Sequence, residues 1–156
     1  MKRTSLAIFA ILLMFTLVAS AAENPVLGKW KLNVEKSKYV PGPAPKNLTR
    51  TAEADGDKFK FTYEGVAADG SAISYTFSVA YDGKDYPITG SGATGGADSV
   101  AVRQLGPRSF AATLKKAGTP VAKSRVTISA DGKVTTFHVN SPDRKSFHNT
   151  LVYEKE

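Results

Sequence analysis

Three features of this 156-residue chain predict an all-β protein. Apolar residues alternate with polar ones at a period of two in many short runs, turn residues punctuate those runs, and no long stretch repeats at the helical period. The expected architecture is a single antiparallel up-and-down β-barrel of about 8–10 strands behind an N-terminal leader.

The leader comes first. Lys2 and Arg3 precede an apolar run from Leu6 to Val18, and the small residues Ala19, Ser20, Ala21 and Ala22 follow, which is the layout of a secretory signal peptide over residues 1–22. The run is shorter than the ~20 residues a membrane-crossing helix needs. An uncleaved anchor is the competing account. The signal reading implies a secreted or periplasmic protein whose mature domain spans 23–156. The chain has no Cys, so neither a disulfide framework nor a lipid-carrying cysteine contributes, and stability must come from packing. Its formal charge is +7, and loss of Lys2 and Arg3 with the leader (seven minus two) leaves +5.

The strands follow in order. Trp30, Leu32 and Val34 alternate with Lys29, Lys31 and Asn33; Leu48, Arg50 and Ala52 share one phase. Phe59, Phe61 and Tyr63 form the next apolar face, then Ile73, Tyr75, Phe77 and Val79. Shorter runs continue with Val100 and Val102, Phe110 to Leu114, Val126 and Ile128, Phe137 and Val139, and finally Phe147, Leu151 and Tyr153. Asp-Gly pairs at 55–56, 69–70, 82–83 and 131–132 supply the positive φ that tight turns need. Closure into a barrel removes the two edges such a meander would otherwise expose.

Gly28-Lys29-Trp30 resembles the Gly-x-Trp opening of lipocalins and fatty-acid-binding proteins, and Leu151 to Lys155 is similar to the closing strand of the latter. The pairing of KLNVEKSKYVPGPAPK with a later YDGKDYPITG also resembles small bacterial secreted proteins described as lipocalin-like. The resemblance implies a calycin-type β-barrel. In fatty-acid-binding proteins an Arg-x-Tyr pair on the closing strand grips a ligand carboxylate. Tyr153 matches that Tyr, whereas Leu151 stands where the Arg belongs, so the clamp is incomplete on this strand. The segment between the first two strands also departs from that family's two short helices: Glu35 to Asn47 is short and carries Pro41, Pro43 and Pro45, which favours an extended strap across one end of the barrel. Trp30 is expected to cover the barrel floor as a packing residue.

Catalytic constellations are thin. With no Cys and two His, the chain lacks a cysteine nucleophile and a three-histidine metal site. His138 and His148 are equidistant from Asp143 and are placed to face each other across the last hairpin, yet both fall out of phase with their apolar neighbours and are expected to point outward. Gly90 to Gly95 matches the spacing of a dinucleotide loop, but the strand-like Ala97 to Val102 follows where that motif needs a helix. The turn carboxylates Asp55, Asp57, Asp82, Asp85 and Asp131 serve backbone geometry. No catalytic residue, metal or cofactor is expected.

The stretch from Ser99 to Ala130 contains no acidic residue and carries Arg103, Arg108, Lys115, Lys116, Lys123 and Arg125. Outer strand faces account for most of these charges; weak contact with anionic envelope surfaces is the functional alternative, and nucleic acid is not expected for an exported chain without a basic-aromatic motif. Arg50 and Arg108 alone fall in the inward phase and are the candidate ligand anchors, with Tyr63, Tyr75 and Tyr153 as phenol donors. Extension of both arginines into water at the rim is the competing account. The chain therefore reads as a monomeric, non-enzymatic barrel for a small apolar or amphipathic molecule that enters tail first. The alternative is a filled-core interaction module with a basic surface, because a small barrel can be filled by its own side chains.

The signal reading predicts that N-terminal sequencing of the exported protein begins at Ala22 or Glu23. Recovery of intact Met1 on exported material would refute it.

Overall fold

A computed structural model of the chain describes residues 23–156; the leader expected over residues 1–22 lies outside them. The described residues form one antiparallel sheet of eleven strands. In chain order these are β1 (Gly28–Leu32), β2 (Asn47–Asp55), β3 (Lys58–Val66), β4 (Ala72–Val79), β5 (Asp82–Pro87), β6 (Thr89–Ser91), β7 (Ser99–Gly106), β8 (Ser109–Lys116), β9 (Thr119–Ile128), β10 (Val134–Asn140) and β11 (His148–Lys155). The all-β antiparallel barrel predicted from alternation is the observed architecture.

Strand order around the sheet is β5-β7-β8-β9-β10-β11-β1-β2-β3-β4-β6. The first and last strands of the chain pair directly, with Leu32 opposite Tyr153. The two ends of that order, β5 and β6, are consecutive in the chain and joined through Ile88. One chain pass therefore bonds to β7 over its first half and to β4 over its second, which brings the sheet edges together into a nearly closed barrel. Gly90 permits the swing onto β4: its φ is +107°, and a Cβ there would collide with the Ser74 carbonyl.

This pass was illegible as a strand because Asp82-Gly83, read as a turn, instead opens β5; the reversal falls just before it. The first strand is also shorter than its alternation suggested. It ends at Leu32, and Val34 is exposed where the chain leaves the sheet. Phe147 lies in the loop before β11.

Inward-facing residues of β2, β3, β7, β8 and β9 join Trp30 and Tyr153 in one hydrophobic cluster. Trp30 has no exposed surface, and its indole Nε1 donates to the Val26 carbonyl at 3.2 Å, tying the segment before β1 to the barrel. The Glu35 to Asn47 strap is non-helical and docks on β11: Lys38 and Thr150 exchange two backbone hydrogen bonds of 2.7 Å, and Val40 NH donates to the Asn149 side chain. The outward face of β7 to β10 carries exposed Arg103, Lys123 and Arg125, as their phase required.

Because Trp30 joins β1 to the preceding segment and to β2, Trp30→Ala should lower unfolding stability by ~3–5 kcal/mol. Urea unfolding checks this, and a loss below ~1 kcal/mol would show that the ring does not organise that end of the barrel.

Candidate functional site

Inward alternation on eight strands, β2 to β4 and β7 to β11, surrounds a hollow interior: a cavity of about 310 Å³ runs from Val26 to the strap residues Tyr39, Pro43 and Pro45. It is bounded mainly by apolar and aromatic side chains, among them the stacked pair Tyr63 and Tyr75, whose ring centroids are 4.7 Å apart. Tyr81 stacks on Phe59 at 4.8 Å and meets Phe110 at 4.8 Å. Phe137 packs edge-on against Tyr153. Trp30 is not part of the lining and sits behind Arg50, so its role is packing.

Arg50 is the one charged side chain among the described residues that line the cavity. It projects from the middle of β2, opposite Trp30 on β1 and Tyr63 on β3, and is 5% exposed. Its guanidinium carbon lies 4.6 Å from the Phe61 ring centre, 5.6 Å from Phe137 and 6.0 Å from Trp30. Aromatic faces attract a desolvated cation by ~2 kcal/mol or more, but they do not satisfy N–H donors. Among the described residues, no protein group accepts a hydrogen bond from Nε or Nη1 of Arg50.

The other buried side-chain polar atoms without partners among the described residues are the hydroxyls of Tyr39, Tyr81, Ser124 and Thr135. All four residues line the same cavity. Buried polar groups in folded proteins are overwhelmingly paired, so a set of orphans facing one space marks that space as polar at chosen points. Burial pushes the Tyr39 and Tyr81 phenols up to about 12. It raises Tyr63 too, with the nearby Arg50 cation opposing it, and holds Tyr75 and Tyr153 well above the ordinary phenol value. At neutral pH all five are therefore neutral hydroxyls able to donate.

The structure thus brings Arg50, Tyr63, Tyr75 and Tyr153 together around one cavity. Arg108 is not with them. It is exposed in the turn between β7 and β8, because β8 begins at Ser109 and the inward phase does not extend back through the turn. Arg50 also departs from the rim placement: it is interior, so a charged head would sit deep and not at the mouth. Sequence reasoning missed Ser124 and Thr135, although each is in phase with apolar neighbours, Val126 and Phe137 respectively. Their small hydroxyls carry no signal of their own on a strand. Tyr39 and Tyr81 were missed because both lie in connections.

His138 and His148 are exposed, and the register sets His138 opposite Thr150 and His148 opposite Asn140, so they do not face each other. Gly92 and Thr94, from the glycine-rich segment, lie at the cavity. A single 3-10 turn, Thr94–Gly96, stands there in place of a helix.

No family model matches the chain, and no curated protein matches it. Among solved structures it is similar to lobster apocrustacyanin A1 at 13% identity and a TM-score of 0.45, over 86% of this chain and 63% of that one. A biogenic amine-binding protein matches at 12% identity and a TM-score of 0.45, over 86% of this chain and 66% of that one. A redesigned β-barrel, mFAP1, bound to DFHBI, matches at 12% identity and a TM-score of 0.42, over 84% and 95%. The chain spans less than two thirds of the length of the apocrustacyanin and of the amine-binding protein. Likeness at this level leaves the function to be argued from the cavity itself.

The buried phenols generate a pH dependence. They keep their protons to higher pH in the folded chain than in the unfolded one, whose phenols titrate near ~10. Their contribution to stability is thus complete below that pH and is lost as pH rises through about 12. Unfolding free energy measured across this range should fall steeply, and less steeply in the Tyr39→Phe, Tyr81→Phe double variant. Equal slopes would contradict the burial of these hydroxyls.

Proposed function

We propose that this protein is an exported, non-catalytic binding protein whose barrel holds one small amphipathic molecule, with an anionic head at Arg50 and an apolar body along the aromatic wall. The single observation that carries the reading is a buried cation lining the cavity, with two nitrogens that no described protein group satisfies and no acidic residue among the described lining. A buried charge without a protein partner costs several kcal/mol, and an incoming carboxylate or similar anion offsets that cost by charge-assisted hydrogen bonding to the guanidinium. Export is supported by the composition of residues 1–22. The ligand enters head first, the reverse of the tail-first entry that rim-placed arginines would have required.

A filled-core module has no observation in its favour, since the interior is open. The cavity holds about ten water volumes, near the lower end of the range for small-molecule pockets.

Arg50→Met separates binding from folding, because it removes an unpaired cation and keeps an apolar side chain of similar reach. It should raise the melting temperature while weakening anionic amphiphiles roughly ten- to a hundredfold, from ~1.5–3 kcal/mol per charged hydrogen bond at ~1.4 kcal/mol per decade. Differential scanning fluorimetry and titration with a carboxylate probe read the two effects. A variant that melts lower and binds the probe unchanged would assign Arg50 a structural role instead.

A further inference from the structure

The hydroxyls along the cavity wall carry the ligand's chemistry further than its head. Resting on the anion reading above, we propose that the body of the ligand is a hydroxylated ring system, so that the protein takes oxygenated aromatic or cyclic carboxylic acids and not simple fatty acids.

The argument is positional. Phe137 borders the Arg50 guanidinium, and Thr135 is its same-face neighbour on β10, fully buried, with an unpartnered hydroxyl. Ser124 on β9 is opposite Val139, four residues further along β10, or about 13 Å toward the strap at ~3.3 Å per residue. It is 8% exposed and also unpartnered. Tyr39 presents an orphaned hydroxyl to the same cavity from the strap. A molecule that places its anion at Arg50 and extends toward the strap therefore meets Ser124 and Tyr39. A saturated chain on that route offers these groups nothing, so each stays desolvated and unsatisfied. A body carrying hydroxyl or carbonyl oxygens pairs with them. Flat rings also suit the stacked Tyr63 and Tyr75 better than a flexible chain does.

The test is isothermal titration of cinnamate, its dihydroxy counterpart caffeate, and palmitate into the unaltered protein and into Ser124→Ala, Tyr39→Phe and Arg50→Met, with melting curves as fold controls. Caffeate should bind more tightly than cinnamate by roughly three- to tenfold per hydroxyl bond made, and more tightly than palmitate. Ser124→Ala and Tyr39→Phe should reduce that advantage by weakening caffeate and not cinnamate, whereas Arg50→Met should weaken both ring acids alike. Equal affinity for caffeate and cinnamate, or palmitate as the tightest ligand, overturns the hydroxylated-ring inference while an Arg50-dependent affinity keeps the anion reading. A caffeate preference that depends on Ser124 but survives Arg50→Met sustains the hydroxyl wall and removes the anion site. If none of the three acids binds, both readings fall.

Discussion

The cage around Arg50 is the constraint that organises this barrel. A guanidinium 4.6 Å from Phe61, with Phe137 and Trp30 further out, is held by ring faces on three strands and by no carboxylate. Such a cation tolerates a dry wall on one side only if the other side stays open to something polar. The hollow interior and the buried charge are therefore one feature. Filling the cavity with apolar side chains would strand the charge, and removing the charge would take away the reason to keep the cavity.

Trp30 connects that cage to the fold. Its indole is fully buried, donates to Val26 and stands opposite Arg50 across the β1–β2 ladder. β1 in turn pairs with β11, which carries Tyr153 into the cavity and receives the strap on its far end. A short opening strand of five residues thus links Trp30, the Arg50 strand and the strand that receives the strap. Closure on the opposite side relies on backbone and not on packing: the bent pass through Ile88 and Gly90 lets two sheet edges meet where no pair of straight strands would reach both.

Much of this was legible in the sequence because period-two alternation records which face is buried, and most strands here bury one face only. Phe61, Tyr63, Tyr75 and Tyr153 were read correctly as inward on that basis. Alternation fails where a strand ends. Val34 and Arg108 continue an apolar phase in the sequence but lie just outside β1 and β8, where the pleat no longer fixes direction. It also fails where a strand is exposed on both faces: β5 and β6 expose most of their residues, so closure left no apolar pattern to find. Small hydroxyls inside the barrel form the third blind spot, since Ser and Thr on a strand look alike whether they face outer solvent or the cavity.

The substitution at Leu151 acquires meaning in this geometry. A closing-strand clamp of the fatty-acid-binding kind places its cation two residues before Tyr153, and this chain has leucine there. Yet Tyr153 stands opposite Leu32 on β1, and Arg50 stands opposite Trp30 on the next strand, so both project from one stretch of wall only two strands apart. A barrel interior is defined by which side chains point inward and not by which strand supplies them, and a cation on β2 serves the same space as one on β11. What differs is its support. An arginine on β11 would occupy the Leu151 position opposite Phe137, whereas from β2 it lies over Phe61 as well and has Trp30 behind it. The charge therefore sits against aromatic ring faces, and the cavity beside it, with Ser124 and Tyr39 among its lining, stays unfilled by side chains.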